Sequence, residues 1–144
     1  MRRVLLVGLG AGAVGLLACI GSSTPKPTPT PQAHTVHGTM TVPARDSYLE
    51  LGKPCSGAGG YSDMEAGTQV VVKNGEGNTI ATGRLNSGIG KFYVGPACSL
   101  SFDIEGVPDS DFYSIEVSHR GAMSYSKGDM ESNNWTLALA LGNP

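Results

Sequence analysis

Three histidines, His34, His37 and His119, are the first side chains to weigh for chemistry. His34-x-x-His37 offers two ligands, and a structural zinc site needs four. No Cys-x-x-Cys accompanies the pair, so no metal is assigned. His119 could serve as a base if Asp109 or Asp111 oriented it beside a serine, as in a hydrolase triad. No Gly-x-Ser-x-Gly elbow exists, and Ser118-His119-Arg120-Gly121 reads as a polar turn, so no catalytic residue is assigned. Asp109-Ser110-Asp111, with Asp103 and Glu105 upstream, gathers the oxygen ligands that calcium takes. Asp109 and Asp111 are the candidate cation ligands, joined by Asp63 and Glu65 if the glycine-rich loop lies at the same end. Against calcium, Pro108-Asp109-Ser110-Asp111 is also good β-turn composition, and there is no EF-hand spacing. Tyr61 follows Gly57-Ala58-Gly59-Gly60 and reads as an exposed anchor. Tyrosines dominate interface hot spots, so Gly59, Gly60, Tyr61 and Asp63 form the candidate partner-binding surface. The 106–111 turn is a second contact candidate.

The elements that would position these groups begin after an address. Met1-Arg2-Arg3 precedes an apolar run, Val4 to Ala18, that is shorter than the roughly 20 residues of a membrane-spanning helix. Charge, short apolar run and small residues describe an export signal. Leu16-Leu17-Ala18-Cys19 resembles the lipobox of bacterial lipoproteins, whose N-terminal cysteine carries a diacylglyceryl group. An uncleaved anchor is the alternative. The expected organisation is a signal peptide at 1–18, a lipidated Cys19 with a Pro/Thr-rich linker at 19–35, and a folded domain at 36–144. Prolines 25, 27, 29 and 31 favour an extended polyproline stalk of roughly 37 Å, for which a plain disordered spacer is an equal reading. The expected location is the outer face of the plasma membrane, with the membrane itself as one partner.

Removing residues 1–18 takes away two of the ten basic residues and none of the 12 acidic ones, leaving a formal charge of −4. Nucleic-acid binding needs a basic patch and is not expected. No polybasic segment for anionic lipid is present either. With Cys19 assigned to lipid, Cys55 and Cys98 are an even pair in an oxidising compartment and are expected to form a disulfide. A metal or redox role for that pair is the alternative. No cofactor is expected beyond the covalent lipid, with Ca2+ the one weaker candidate.

Strands are read at 35–42, 48–51, 69–73, 79–85, 92–94, 100–104, 113–117 and 135–141. Asn74-Gly75-Glu76-Gly77-Asn78 makes the clearest hairpin turn, and 57–60 and 86–90 read as loops. Leu100, Phe102 and Ile104 alternate with polar residues, as do Tyr113, Ile115 and Val117. The last strand has Trp135, Leu137, Leu139 and Leu141 on one side and Thr136, Ala138 and Ala140 on the other, so both faces are expected to be covered. Tyr93 is expected in the core. The sum is all-β: a small antiparallel β-sandwich, Ig-like or related, of about 7–9 short strands with one disulfide. A barrel is the runner-up.

Four segments stand in order with Cys98. They are Cys55-x-Gly57-x-Gly59-Gly60-Tyr61-x-Asp63, Gly67-Thr68-x-Val70-x-Val72, Ile80-Ala81-x-Gly83-x-Leu85 and Phe112 to Gly121. Together they resemble a group of small exported actinobacterial lipoproteins, of mycobacterial type and also carried by phages and prophages. The likeness spans about residues 53–142 and implies turns, core and disulfide rather than an activity. Taken together, address, stalk and domain are expected to make a non-enzymatic, lipid-anchored module that binds a protein or envelope component. Size and topology also resemble phage lipoproteins that block competing phages, so superinfection exclusion is the alternative. An envelope hydrolase using His119 is a further one.

Overall fold

A computed structural model describes residues 32–44 and 49–142; the expected signal segment, Cys19, nearly all of the linker and Tyr48 lie outside them. Among the described residues nine strands follow in chain order: β1 (Ala33–Pro43), β2 (Pro54–Cys55), β3 (Gln69–Asn74), β4 (Thr79–Arg84), β5 (Gly88–Phe92), β6 (Pro96–Pro108), β7 (Phe112–Val117), β8 (Ala122–Ser126) and β9 (Thr136–Ala140). A 3-10 turn covers Gly59–Tyr61, and one short helix, α1 (Lys127–Ser132), precedes β9. The strands form two sheets, ordered β2-β5-β6-β1-β9 and β4-β3-β7-β8. Their inner faces share one core, so the fold is a β-sandwich.

The longest ladder, β1 against β6, follows from inward alternation on both strands. Val36, Gly38, Met40 and Val42 face in from β1, and Cys98, Leu100, Phe102 and Ile104 from β6. Gly38 pairs with Phe102, and a Cβ there would collide with the Phe102 ring, so glycine is what lets the ring lie flat on β1. Strict alternation past Ile104 would turn Val107 outward. The register instead steps from Val36↔Ile104 to His34↔Val107, one extra residue on β6. Gly106, at φ +70°, supplies this bulge, and Val107 returns fully to the core.

The β3–β4 hairpin forms as read, with the Asn74 carboxamide oxygen accepting from the Asn78 N–H at 2.9 Å and Gly77 at φ +83°. β7 buries Tyr113, Ile115 and Val117. Several expectations are corrected. Residues 49–51 form no strand: the chain turns at Leu51-Gly52 and then enters β2. The 86–90 loop and 92–94 strand are replaced by one strand, β5. It hid because its inward positions are glycines. A Cβ on Gly88 would lie 2.5 Å from Cys98 Sγ, and one on Gly90 would strike the Glu50 carbonyl. Tyr93 is exposed, not core.

The sandwich is not wholly antiparallel. β9 runs parallel to β1, because the chain leaves the second sheet after β8 and crosses through α1 to the first. A capping box starts that crossing: Ser126 Oγ accepts from the Asp129 N–H at 3.2 Å, and the Asp129 carboxylate accepts from the Ser126 N–H at 2.9 Å. Met130 plugs into the core, and Asn134 and Trp135, at φ 49° and 57°, reverse the chain into β9. The outer face of β9 is bare: Thr136, Ala138 and Ala140 are exposed, contrary to the expectation that both faces are covered.

The disulfide forms between Cys55 and Cys98, with Cα atoms 5.9 Å apart. It ties the two-residue edge strand β2 to β6 across the position of Gly88. The buried apolar side chains of the described residues, Ala97 apart, meet in a single cluster.

Candidate functional site

The predicted site residues lie at two opposite ends of the sandwich. Where β1 begins, Asp109 donates its backbone N–H to the Gln32 carbonyl at 3.3 Å. Where β1 ends, Pro43 lies against Gly142 and the Tyr61 loop. β7 separates the ends again, with Asp111 just before it and His119 just after. Its six residues span about 20 Å. Asp63 and Glu65 therefore do not join Asp109 and Asp111, and His119 meets neither aspartate. His119 is 96% exposed, with Nδ1 3.8 Å from a Glu116 oxygen, and Glu116 also accepts from Lys73 Nζ at 2.7 Å. The triad geometry is not formed.

At the β1-start end, His34 stacks on Trp135 with ring centroids 3.7 Å apart and planes 10° from parallel. Tyr113 and the same indole form a T-shaped pair, with ring centroids 5.3 Å apart. The Tyr113 hydroxyl accepts from the Ser110 N–H at 2.7 Å and donates to the Pro108 carbonyl at 3.3 Å, which closes the 108–111 turn. Burial pushes its titration up. Asp109 Oδ1 bonds His34 Nε2 at 2.7 Å, and Oδ2 meets Lys127 Nζ at 3.0 Å. Those two partners, His34 first, hold the Asp109 carboxyl below its ordinary range. Both oxygens are thus engaged, and an ammonium stands beside the carboxylate where a cation ligand would need free oxygens. The Asp111 backbone carbonyl accepts from the Lys127 N–H at 2.9 Å. Asp103 pairs with His37 at 2.5 Å, so His34 and His37 serve different carboxylates and share no ligand position. Among the described residues no three His, Cys, Asp or Glu side chains converge on one point.

At the other end the 57–65 loop is clamped. Arg120 Nε donates to Asp63 Oδ2 at 2.8 Å, while Nη2 reaches both Asp63 Oδ1 and the Gly60 carbonyl. The guanidinium also lies 5.1 Å from the Tyr61 ring centroid. The Asp63 carboxyl falls from an ordinary 3.8 to about 2, chiefly through the Arg120 hydrogen bonds and against a smaller desolvation cost. Met64 is fully buried, its carbonyl accepts from the Gly57 N–H at 2.7 Å, and Thr68 Oγ1 donates to the Asp63 carbonyl at 2.6 Å. Tyr61 is half-buried against the core instead of standing free. Gly59 and Gly60 remain exposed. Asp63 and Tyr61 therefore shape a preorganised loop, and the exposed polar surface is the Gly59-Gly60 backbone with Arg120. Sequence reasoning placed Arg120 only in a polar turn. A salt bridge across 57 residues leaves no local pattern to read.

A third surface was not anticipated. Phe92, Tyr93 and Val94 protrude at the β5–β6 turn, 64%, 53% and 91% exposed. A shallow trough lined by Thr39, Thr41, Tyr93, Val94, Ala138 and Ala140 continues from this tip across the outer faces of β1, where the threonines are half-buried, and of β9.

Comparison with protein-family models, curated proteins and solved structures returned no match.

Proposed function

We propose that this chain is a lipid-anchored, extracytoplasmic β-sandwich that acts by binding at the bacterial cell envelope, without catalysis. The observation that carries the reading is the sequence around Cys19: two arginines, a short apolar run, Leu-x-Ala-Cys, then a Pro/Thr-rich stretch. The fold supports it in two ways. Cys55 and Cys98 are bonded to each other, which suits an oxidising compartment and leaves Cys19 as the remaining cysteine. Asp109 at one end and Asp63 at the other are each held in ion pairs, which suits a rigid display surface better than proton transfer.

Detergent phase partitioning with protease treatment of intact cells tests this reading. The wild-type chain should enter the detergent phase and be cleaved from outside. Cys19→Ala should move to the aqueous phase. A wild-type chain in the aqueous phase, or one protected until cells are lysed, would contradict the proposal.

A further inference from the structure

We infer that the β5–β6 tip, Phe92-Tyr93-Val94, is a lipid-contacting element that inserts into the interface of the bilayer. Phe92 pairs with Pro96, so Tyr93, Val94 and Gly95 form the turn itself, and the Tyr93 N–H donates to the Gly95 carbonyl at 3.1 Å. Such a turn requires a small or flexible residue and otherwise favours polar ones. Gly95 meets the first need, whereas three large apolar neighbours run against the polar preference of such a turn. They are no part of the buried core cluster. Leu51, 64% exposed, lies on the segment whose Gly52 N–H donates to the Gly90 carbonyl at 2.9 Å, beside β5.

The shape and flanks point to lipid. Val94, 91% exposed at the head of a turn, offers its side chain to a deformable surface more readily than to a preformed pocket. Phe and Tyr beside an aliphatic residue are the side chains that settle at a membrane interface. Lys91 and Lys53 flank the tip and are exposed, with stems long enough to lie along apolar surface while their ammonium groups stay in water. The sequence has no polybasic segment, so contact would be driven by apolar burial and would not need anionic lipid.

Reach decides whether the tip can meet the same bilayer that holds the chain, and here the inference rests on the Cys19 tether. Cys19 to Gln32 is a segment of 13 residue steps, at most about 45 Å when fully extended. The tip lies at the far end of β1, whose 11 residues extend about 36 Å. The segment is thus long enough for the domain to lie over and touch the membrane with Val94.

The test uses the unlipidated chain from residue 19 carrying Cys19→Ser, with vesicles of neutral phosphatidylcholine. The described residues close their core among themselves, so this chain retains the fold. It should co-sediment with vesicles, with little dependence on salt. Phe92→Ser/Tyr93→Ser/Val94→Ser should weaken that partition at least about tenfold, since each side chain withdrawn removes apolar burial. Val94→Trp reads the tip once the Trp135 emission of the same chain without that substitution is subtracted: the added emission should shift to the blue on adding vesicles and be quenched by brominated lipid. The unlipidated chain with its native tip left in the supernatant, serine variants that bind equally, or Val94→Trp emission, corrected for Trp135, that lipid leaves unmoved would each overturn the inference. This affinity does not require lipidation. A chain found unlipidated in cells would refute the tether yet leave a vesicle-binding tip standing. A lipidated chain with an inert tip would do the reverse.

Discussion

Replacing Asp63 by asparagine removes the charge from the Arg120 clamp while keeping the shape of the side chain. The Asp63 carboxyl titrates near 2 in the folded domain, against an ordinary 3.8, chiefly because Arg120 donates to both of its oxygens. At about 1.36 kcal/mol per pH unit the difference corresponds to about 2.5 kcal/mol. The two side chains are 30% and 38% exposed, and solvent screening of such a pair brings the expected contribution to about 1 kcal/mol. The sign is that of a depressed carboxylate. Its stabilisation is fully present above pH 4 and is lost as pH falls from about 4 through 2. Urea unfolding of wild type and Asp63→Asn from pH 7 to pH 2 measures this. The difference between the two proteins should stay near 1 kcal/mol down to about pH 5 and close below pH 4. A difference that is absent at pH 7, or that does not change with pH, would refute the assignment of the clamp to Asp63.

Removing the disulfide with Cys55→Ser/Cys98→Ser opens a loop with a sequence separation of 43 residues. It should cost about 4 kcal/mol, lowering the thermal midpoint by roughly 15–25 °C, as read by circular dichroism against wild type with and without reductant. Gly38→Val drives a side chain into the Phe102 ring and should destabilise by about 1–3 kcal/mol in urea titration, with partial rescue by Phe102→Leu; an unchanged midpoint would deny the stacked pair. Tyr113→Phe leaves the Ser110 N–H and Pro108 carbonyl without their partner and should cost about 1 kcal/mol, with faster amide exchange at Ser110 as the local readout.

Elements whose core residues alternate were legible in the sequence. β6 and β7 were read from Leu100, Phe102, Ile104 and from Tyr113, Ile115, Val117, and the β3–β4 hairpin from its Asn-Gly-rich turn. β5 escaped because Gly88 and Gly90 occupy its inward positions to make room for the disulfide and the Glu50 backbone. β8 escaped for another reason: it is an edge strand held to β7 by backbone pairing, and most of its side chains face solvent. α1 was announced only by the Ser126-x-x-Asp129 cap, which is a weak signal ahead of a six-residue helix. Tertiary geometry was not legible. The two acidic clusters look near enough to cooperate until β7 sets them at opposite ends. Likewise Asp63 reads as a free surface carboxylate until Arg120, 57 residues away, is seen to hold it. The apolar tip was mistaken for a strand because Phe92-Tyr93-Val94 has strand composition. Only the Phe92↔Pro96 pairing shows that two of its members form a turn.

Intact mass of the protein extracted from membranes, beside a Cys19→Ala form, tests the central claim most directly. The account predicts a species that begins at residue 19, carries the added mass of at least a diacylglyceryl group, and is two mass units lighter than the fully reduced chain. A chain with no added lipid mass, or one that retains residues 1–18, would contradict it.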